Sequence, residues 1–366
     1  MKSIATILNY YHRKYAIKIL SSRCDNKKFL YFTHEWGGGV EFYLQNRIKI
    51  LRGNAVILVI RYQKEKRRFL LELTFKNVFT SCYFDKLHDI LSFLEGIKID
   101  KIYLNQISFF PELKEIFSSV YKVRNGEINF HKPKVTMLVH DFYSICINGN
   151  LLKNDTSCCE VLSDCECSLK SGDNFKNWKE FLINGIDDAI CFSKSSAEIM
   201  QNFHPEISKK IISSTHQVPF LRKVNITSSS QVVRMAVIGF INQIKGCDLI
   251  SQMAELILEE KINAKIFVVG KFKGRSNAAI KVLGKYNRDD LPEIMEKNQI
   301  DIVFIPSICP ETFSYTTHEA MMMGLNVACF NLGAQAEYVG KYDKGLIVSR
   351  MEAKIALDEI INFIRG

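Results

Sequence analysis

The feature that most constrains this chain is an alternation of short apolar runs with stretches of helical spacing, interrupted once. Strand-length runs stand at residues 28–34, 55–62, 69–75, 101–107, 134–140 and 188–193. Amphipathic spacing fills residues 4–20, 40–51, 85–96, 111–120, 173–183 and 195–203. A parallel strand pair needs a crossover long enough to hold a helix, so such alternation predicts parallel sheets covered on both faces. Residues 219–231 lack periodicity and contain three serines, 228–230, which marks a linker. The alternation then restarts, with strands at 232–239, 264–270, 302–306 and 326–330 and helices at 246–259, 290–296, 316–323 and 352–364. The expected architecture is α/β, with two Rossmann-like doubly wound domains, 1–222 and 223–350, facing a central cleft. A helical segment at 351–366 is free to pack back on the first domain. Ligands of doubly wound sheets bind at the carboxyl ends of the strands.

Nearly half of the 366 residues are hydrophobic and a quarter are charged, a folded composition. No apolar run approaches the ~18 residues that span a bilayer. The N-terminal apolar residues are broken by His12, Arg13, Lys14 and Lys18, unlike a signal peptide. The chain is therefore expected in the cytoplasm. Its eleven cysteines sit mostly alone in apolar runs, as Cys191 and Cys329 do, which suits buried thiols and not a disulfide framework. Charge is uneven: residues 1–134 hold 24 Lys/Arg against 12 Asp/Glu, a net +12, and since the whole chain is +10 the remainder is −2. A basic first domain suits an anionic partner such as the inner membrane surface or a lipid diphosphate. Helix 4–20, with Ile4, Ile7, Leu8, Tyr11 and Tyr15 on one face, either lies on such a surface or packs on its own domain, and packing is the expectation. No aromatic-basic platform supports a nucleic-acid partner.

The most informative motif is PETFSYTTHEA, residues 310–320, between a strand and a helix. Glu311 falls in the loop and Glu319 about a turn into the helix. The peptide N–H groups of Ser314, Tyr315 and Thr316 open that helix and have no intrahelical acceptors, which makes an anion site fit for a diphosphate. Glu311 then suits sugar hydroxyls and Glu319 ribose hydroxyls, because carboxylates accept strongly from such donors. After it come GLNVA at 324–328 and LGAQAE at 332–337. Together these resemble the family 4 retaining glycosyltransferases, whose Glu-x7-Glu motif has this form, with Ala334 replacing the second glycine of their glycine pair.

That resemblance implies the GT-B fold and a nucleotide-sugar donor. It implies retaining transfer of a hexose-type sugar to a glycan or lipid-linked glycan acceptor, in bacterial surface polysaccharide or lipopolysaccharide synthesis. The leaving diphosphate would take the acceptor's proton, and no divalent metal or other cofactor is expected. In VIGFINQIKG, 237–246, Gly239 ends a strand; the family usually places an arginine next and a lysine five residues later, both on the diphosphate. Lys245 matches and Phe240 replaces the arginine, which leaves the charge to Lys245 and the helix start around Phe313–Thr316, with Lys271 as a further candidate. Residues 285–294 resemble the turn and short helix that cover the nucleotide, with the base against backbone near Gly270. The glycines 37–39 resemble the first-domain loop that faces the donor, through Gly38 and Gly39. His140, at a strand end before Asp141, matches a family histidine that contacts the donor sugar.

Cys146, Cys158, Cys159, Cys165 and Cys167 are spaced poorly for zinc, and a reduced loop is expected. Rival readings are a nucleotide-sugar epimerase or phosphorylase of the same fold. From another class comes a GT-B module that binds glycan or a partner without catalysis, which Phe240 favours.

Overall fold

The protein's computed structural model describes residues 4–23, 25–108, 110–111, 113–153, 157–158, 172–227 and 231–366. Two compact units emerge. The first, within residues 1–145, 170–191 and 200–213, is built on an eight-stranded sheet.

Helix α1 (Ile4–Ser22) precedes β1 (Lys27–Thr33), α2 (Gly38–Leu51), β2 (Ala55–Gln63), β3 (Arg68–Phe75) and β4 (Val78–Phe84). Then come α3 (Leu87–Phe93), β5 (Lys101–Leu104), α4 (Leu113–Asn125) and β6 (Lys134–Val139). After a two-stranded ladder of β7 (Leu152–Lys153) and β8 (Ser157–Cys158) follow α5 (Gly172–Asn184), β9 (Asp188–Cys191), α6 (Lys194–Phe203) and β10 (Ile211–Ser213). The sheet order is β10-β9-β6-β5-β1-β2-β3-β4. Against the all-parallel expectation, β2, β3 and β4 form an antiparallel meander. The reason is connection length: residues 64–67, with Arg67 at φ 47°, and Lys76 at φ 51° close tight turns with no room for a crossover helix.

Helix α1 packs on this unit, burying Ala16, Ile19 and Leu20. It lies along β4, the sheet's last strand. Asn9 accepts from the Tyr83 N–H at 2.8 Å and donates to the Tyr83 carbonyl at 3.0 Å, while His12 sits 3.0 Å from the Ser81 carbonyl. Side chains thereby satisfy an edge that would otherwise invite another strand.

The second unit runs from Ser214 to Gly366, with residues 146–169 and 192–199. Its elements are β11 (Val233–Ile241), α7 (Cys247–Glu259), β12 (Ala264–Phe272), β13 (Ile280–Gly284), α8 (Leu291–Lys297) and β14 (Ile302–Ile305). They continue as α9 (Tyr315–Met322), β15 (Asn326–Phe330), α10 (Gly333–Val339), β16 (Gly345–Val348) and α11 (Ala353–Arg365). All six strands pair in parallel in the order β13-β12-β11-β14-β15-β16. Alternation along β11 feeds two cores. Val233, Met235 and Val237 pack with α7 and α11, and Ala236 and Ile238 with α8 and α9. Each such fully buried side chain contributes roughly 1.5–3 kcal/mol.

Two boundaries differ from expectation. The segment expected as a linker is anchored to this unit: Leu221 is buried, Val224 donates to the Met323 carbonyl at 2.9 Å, and Arg222 pairs with Glu296 at 2.7 Å. The serines at 228–230 lie outside the described residues. Helix α11 was expected to be free for the first domain, but its apolar stripe, Ala356, Leu357, Ile360 and Ile361, is already buried in this unit's core beside α7 and β16.

The backbone runs close at the ends of β11 and β12, where Gly239 pairs with Gly270. A Cβ on Gly270, at φ 137°, would stand 2.0 Å from the Gly239 carbonyl oxygen. Gly284, at φ 83°, faces open space. Gly270→Ala should therefore cost about 3 kcal/mol or more of unfolding free energy, and Gly284→Ala about 1–2 kcal/mol. Urea titrations of the two variants check this; equal losses would refute the steric account.

Candidate functional site

The second unit's strand order reverses between β11 and β14, and the motif residues gather at the carboxyl ends of those two strands. Past β11, Gly246 adopts φ 72° and starts α7; a Cβ there would meet the Pro306 carbonyl at 2.2 Å. The chain can thus turn tightly against the end of β14, which brings Lys245 over it. The Lys245 ammonium lies 2.7 Å from Glu311 Oε1. Burial pulls the lysine's pKa down, but the Glu311 carboxylate more than offsets this and the net direction is upward, so Lys245 stays charged.

Glu311 is held from several sides. Ser307 Oγ donates to its carboxylate, and its own N–H donates to Gln335 Oε1 at 3.1 Å. Gln335, fully buried, donates in turn to the Cys309 carbonyl at 2.9 Å. Gly333, at φ 56°, lets α10 begin hard against this loop, since a Cβ there would meet Glu311 N at 2.6 Å. A cavity of about 120 Å³ opens here, lined by Gly239, Phe240, Lys245, Ser307, Glu311 and Thr316.

Helix α9 starts beside the cavity, with Ser314 as its N-cap residue. The Ser314 hydroxyl accepts from Thr317 Oγ1 at 2.8 Å and makes no bond to the helix's own N–H groups. The Phe313 ring packs against His216 (4.1 Å between centroids) and His318 (4.4 Å), and Tyr315 lies 5.1 Å from His216. Glu319 is 5 % exposed and accepts from Arg288 Nε at 2.7 Å. Burial raises the Glu319 pKa and Arg288 opposes the rise.

Phe240 is about half exposed at the cavity, and its register partner across the ladder is Lys271, also exposed. Ser307 carried no motif signal, and Arg288 and Gln335 lay inside motifs that gave neither of them a role. Each became visible only when the fold set it against a glutamate of the motif.

In the first unit, a second polar group occupies the ends of β1, β5 and β6. Gly37 and Gly38, at φ 77° and 74°, form the turn and Gly39 lies in the first turn of α2. No atom within 4 Å would meet a Cβ at either, so backbone conformation and not crowding favours glycine. His140 Nε2 is 3.0 Å from Asn105 Oδ1, and Asn105 donates to Thr33 Oγ1 at 3.0 Å. Burial, with His34 nearby, takes the His140 pKa down to about 3, so its imidazole is neutral at physiological pH. Burial pushes Asp141 up to about 6, opposed by the Tyr143 N–H and Gln106.

Beside this group, Arg61 is a charge buried at the end of an apolar strand. It makes a two-pronged pair with Glu41 at 2.7 and 3.0 Å, meets Glu72 at 2.9 Å, and donates to the His34 carbonyl at 2.9 Å. It ties the first turn of α2 to the glycine turn.

Of the cysteine cluster, Cys146 is buried and free. Cys159, Cys165 and Cys167 lie outside the described residues, as does the Cys158 side chain. Among the described residues no group of three His, Cys, Asp or Glu is placed to hold a metal. Burial pushes the Cys191 thiol, and with Glu311 nearby the Cys329 thiol, up to about 12.

Residues 226–366 match the family model described as glycosyl transferases group 1. No curated protein matches the sequence. Solved structures match over nearly the whole chain. Anabaena Alr3699/HepE in complex with UDP is 14 % identical, with TM-score 0.59, covering 93 % of this chain and 89 % of that one. Sucrose-phosphate synthase from Thermosynechococcus elongatus is 12 % identical, with TM-score 0.59 and coverage of 93 % and 90 %. The lipopolysaccharide outer core galactosyltransferase WaaB is 9 % identical, with TM-score 0.56 and coverage of 93 % and 90 %. At these identities the likeness establishes a shared fold, GT-B, with its two parallel-sheet domains.

The Arg61 network sets a pH signature. Burial alone would raise the Glu41 pKa, but Arg61 and Gln45 hold it below its ordinary 4.5. A carboxylate so lowered adds stability above its unfolded pKa and loses it as pH falls through the folded one. Arg61→Met should cost about 3 kcal/mol at pH 7, by leaving two carboxylates without their cation. The deficit should shrink below about pH 4.5 as Glu41 protonates. Denaturant melts at pH 7 and pH 4 check the sign; a deficit independent of pH would contradict it.

Proposed function

We propose that this chain, a glycosyltransferase by its fold and by the family of its second unit, moves a hexose-type sugar from a nucleotide-sugar donor to a glycan or lipid-linked glycan acceptor with retention of configuration. The observation that carries the reading is the Lys245–Glu311 pair, 2.7 Å long, beside the uncapped start of α9 at the reversal point of a Rossmann-order sheet. A fixed cation beside a helix start suits the negative charge of a diphosphate leaving group. That UDP or UDP-glucose is named with the HepE structures lends support to a nucleotide donor.

On this reading the diphosphate lies along Ser314–Thr316 and Lys245, and Gly239 and Gly270 let the nucleotide approach the backbone. Glu311 accepts from hydroxyls of the transferred sugar, and Glu319 from those of ribose. As the bond between the anomeric carbon and the phosphate oxygen breaks, the acceptor oxygen bonds to that carbon on the same face. The departing phosphate oxygen takes the acceptor's proton. Lys245 meets the negative charge that grows on the diphosphate, so the step is proposed to need no divalent ion. Neutral His140 hydrogen-bonds a sugar hydroxyl without competing for that charge, and the turn at Gly38 and Gly39 offers backbone to the same substrate. Bacterial surface polysaccharide or lipopolysaccharide synthesis is the proposed setting. Phe240 favours one second reading, a GT-B module that binds without transfer, since one expected cation is missing.

A thermal-shift panel of UDP-, GDP-, dTDP- and CMP-sugars with EDTA present separates the two. One donor at a hundredfold its Kd should stabilise the protein by about 2.7 kcal/mol, and Glu311→Ala should remove most of that gain at the same concentration. No shift with any donor would favour the binding module.

A membrane role is proposed for the outer face of α1, where Leu8, Tyr10, Tyr11, Tyr15 and Ile17 are exposed beside Lys14 and Lys18. No described helix is long and apolar enough to cross a bilayer, so contact would be peripheral. The protein should float with phosphatidylglycerol-rich liposomes at low salt and be released by Tyr11→Ser with Lys14→Glu. Remaining with the dense fraction at low salt would count against it.

A further inference from the structure

Resting on the donor reading above, we infer that Arg288 is a positioning residue that makes the nucleotide site select ribose over deoxyribose. The argument starts from Glu319, whose side chain is 6 % exposed. A carboxyl group so buried would take up a proton unless a cation stood beside it. Arg288 is that cation, with Nε 2.7 Å from Oε1 of Glu319. Its guanidinium is itself fixed: Nη2 donates to the Pro219 carbonyl, and Nη1 lies 3.5 Å from Asp289. Three parts of the unit, the turn at Arg288, the segment before β11 and helix α9, therefore meet on one side chain.

The consequence is chemical. Arg288 occupies Oε1, whereas no described residue donates to Oε2 of Glu319. An ionised carboxylate accepts hydrogen bonds and donates none, so the group it can hold there is a donor, as a ribose hydroxyl is. A protonated Glu319 would present a mixed donor and acceptor and lose that preference. Position points to ribose. Glu319 is three residues past Thr316, about 4.5 Å along the helix axis at ~1.5 Å per residue, roughly the reach from a nucleotide's phosphate to its ribose diol. Tyr286, on the approach to the Arg288 turn, is close enough to Glu319 for that charge, after burial, to help raise its own pKa to about 12.

The test is equilibrium binding of nucleoside diphosphates in matched pairs (UDP, GDP, CDP and ADP, each against its 2′-deoxy counterpart) to the full chain. Inorganic pyrophosphate serves as the control for the phosphate subsite. Wild type should bind one ribonucleotide at least about tenfold tighter than its deoxy form, the scale of one hydrogen bond to a charged acceptor. Arg288→Met should narrow that ratio to less than threefold while pyrophosphate affinity stays within twofold. Arg288→Lys should retain part of the ratio, because it keeps the charge without the planar fork. If Arg288→Met does not fold, Arg288→Met with Glu319→Gln removes the buried charge as well and should show the same narrowed ratio. A wild type that binds a nucleotide without ribose preference, or an Arg288→Met variant that keeps the full ratio, would overturn this inference alone. A wild type that binds none of the nucleotides would overturn the donor reading and this inference with it.

Discussion

The ammonium of Lys245 and the carboxylate of Glu311 meet 2.7 Å apart over the ends of two neighbouring parallel strands. Much of the second unit's local geometry makes that meeting possible. Gly246 turns the chain against Pro306, and Gly333 lets α10 start against the Glu311 peptide. Gln335 joins Glu311 N–H to the Cys309 carbonyl, so the loop between β14 and α9 has a fixed course. The lysine side of the pair is 39 % exposed, and an ion pair open to water on one side adds little to stability. What the pair does is positional: it fixes two opposite charges at the ends of β11 and β14, beside the start of α9.

The first unit solves the corresponding problem by different means. Its strand ends carry Asn105, Gln106 and an uncharged His140 with the Asp141 carboxyl that Gln106 donates to, and further charges lie in the Arg61, Glu41 and Glu72 network. Arg61 also holds the His34 carbonyl, so it fixes the backbone from which the glycine turn departs. The two units thus differ in kind, one with a lysine-glutamate pair beside a helix start and the other with a neutral imidazole among amide and carboxyl side chains.

Much of this was legible along the chain. Strong periodicity revealed most of the longer elements, including β11, α7, β12 and α11, because buried faces demand regular spacing. Three short strands escaped, β10, β13 and β16, although β5, β9 and β14, of four residues each, were read. The meander also went unread. Residues 69–75 signal a strand, but direction depends on the turn after β2, and β4, VFTSCYF, mixes polar and apolar side chains because half of it faces away from the core. The segment at 219–231 looked like a linker by composition, yet Leu221 and Val224 are anchored to the second unit by contacts far away in sequence.

The sequence by itself determined the class of fold, two runs of strand and helix, and placed Gly239 and His140 at strand ends, Lys245 at a helix start, Glu311 in a loop and Glu319 about a turn into a helix. Spacing suffices for that, because strand and helix periods are local properties of the backbone. Tertiary structure alone decided what those residues face. Nothing in the local sequence joins Arg288 to Glu319, Ser307 and Lys245 to one carboxylate, or Arg61 to a turn more than twenty residues earlier. These are pairings across strands and loops, and they depend on strand order. Strand order is set by which apolar faces can be buried together, a condition on the whole sheet that no single segment carries.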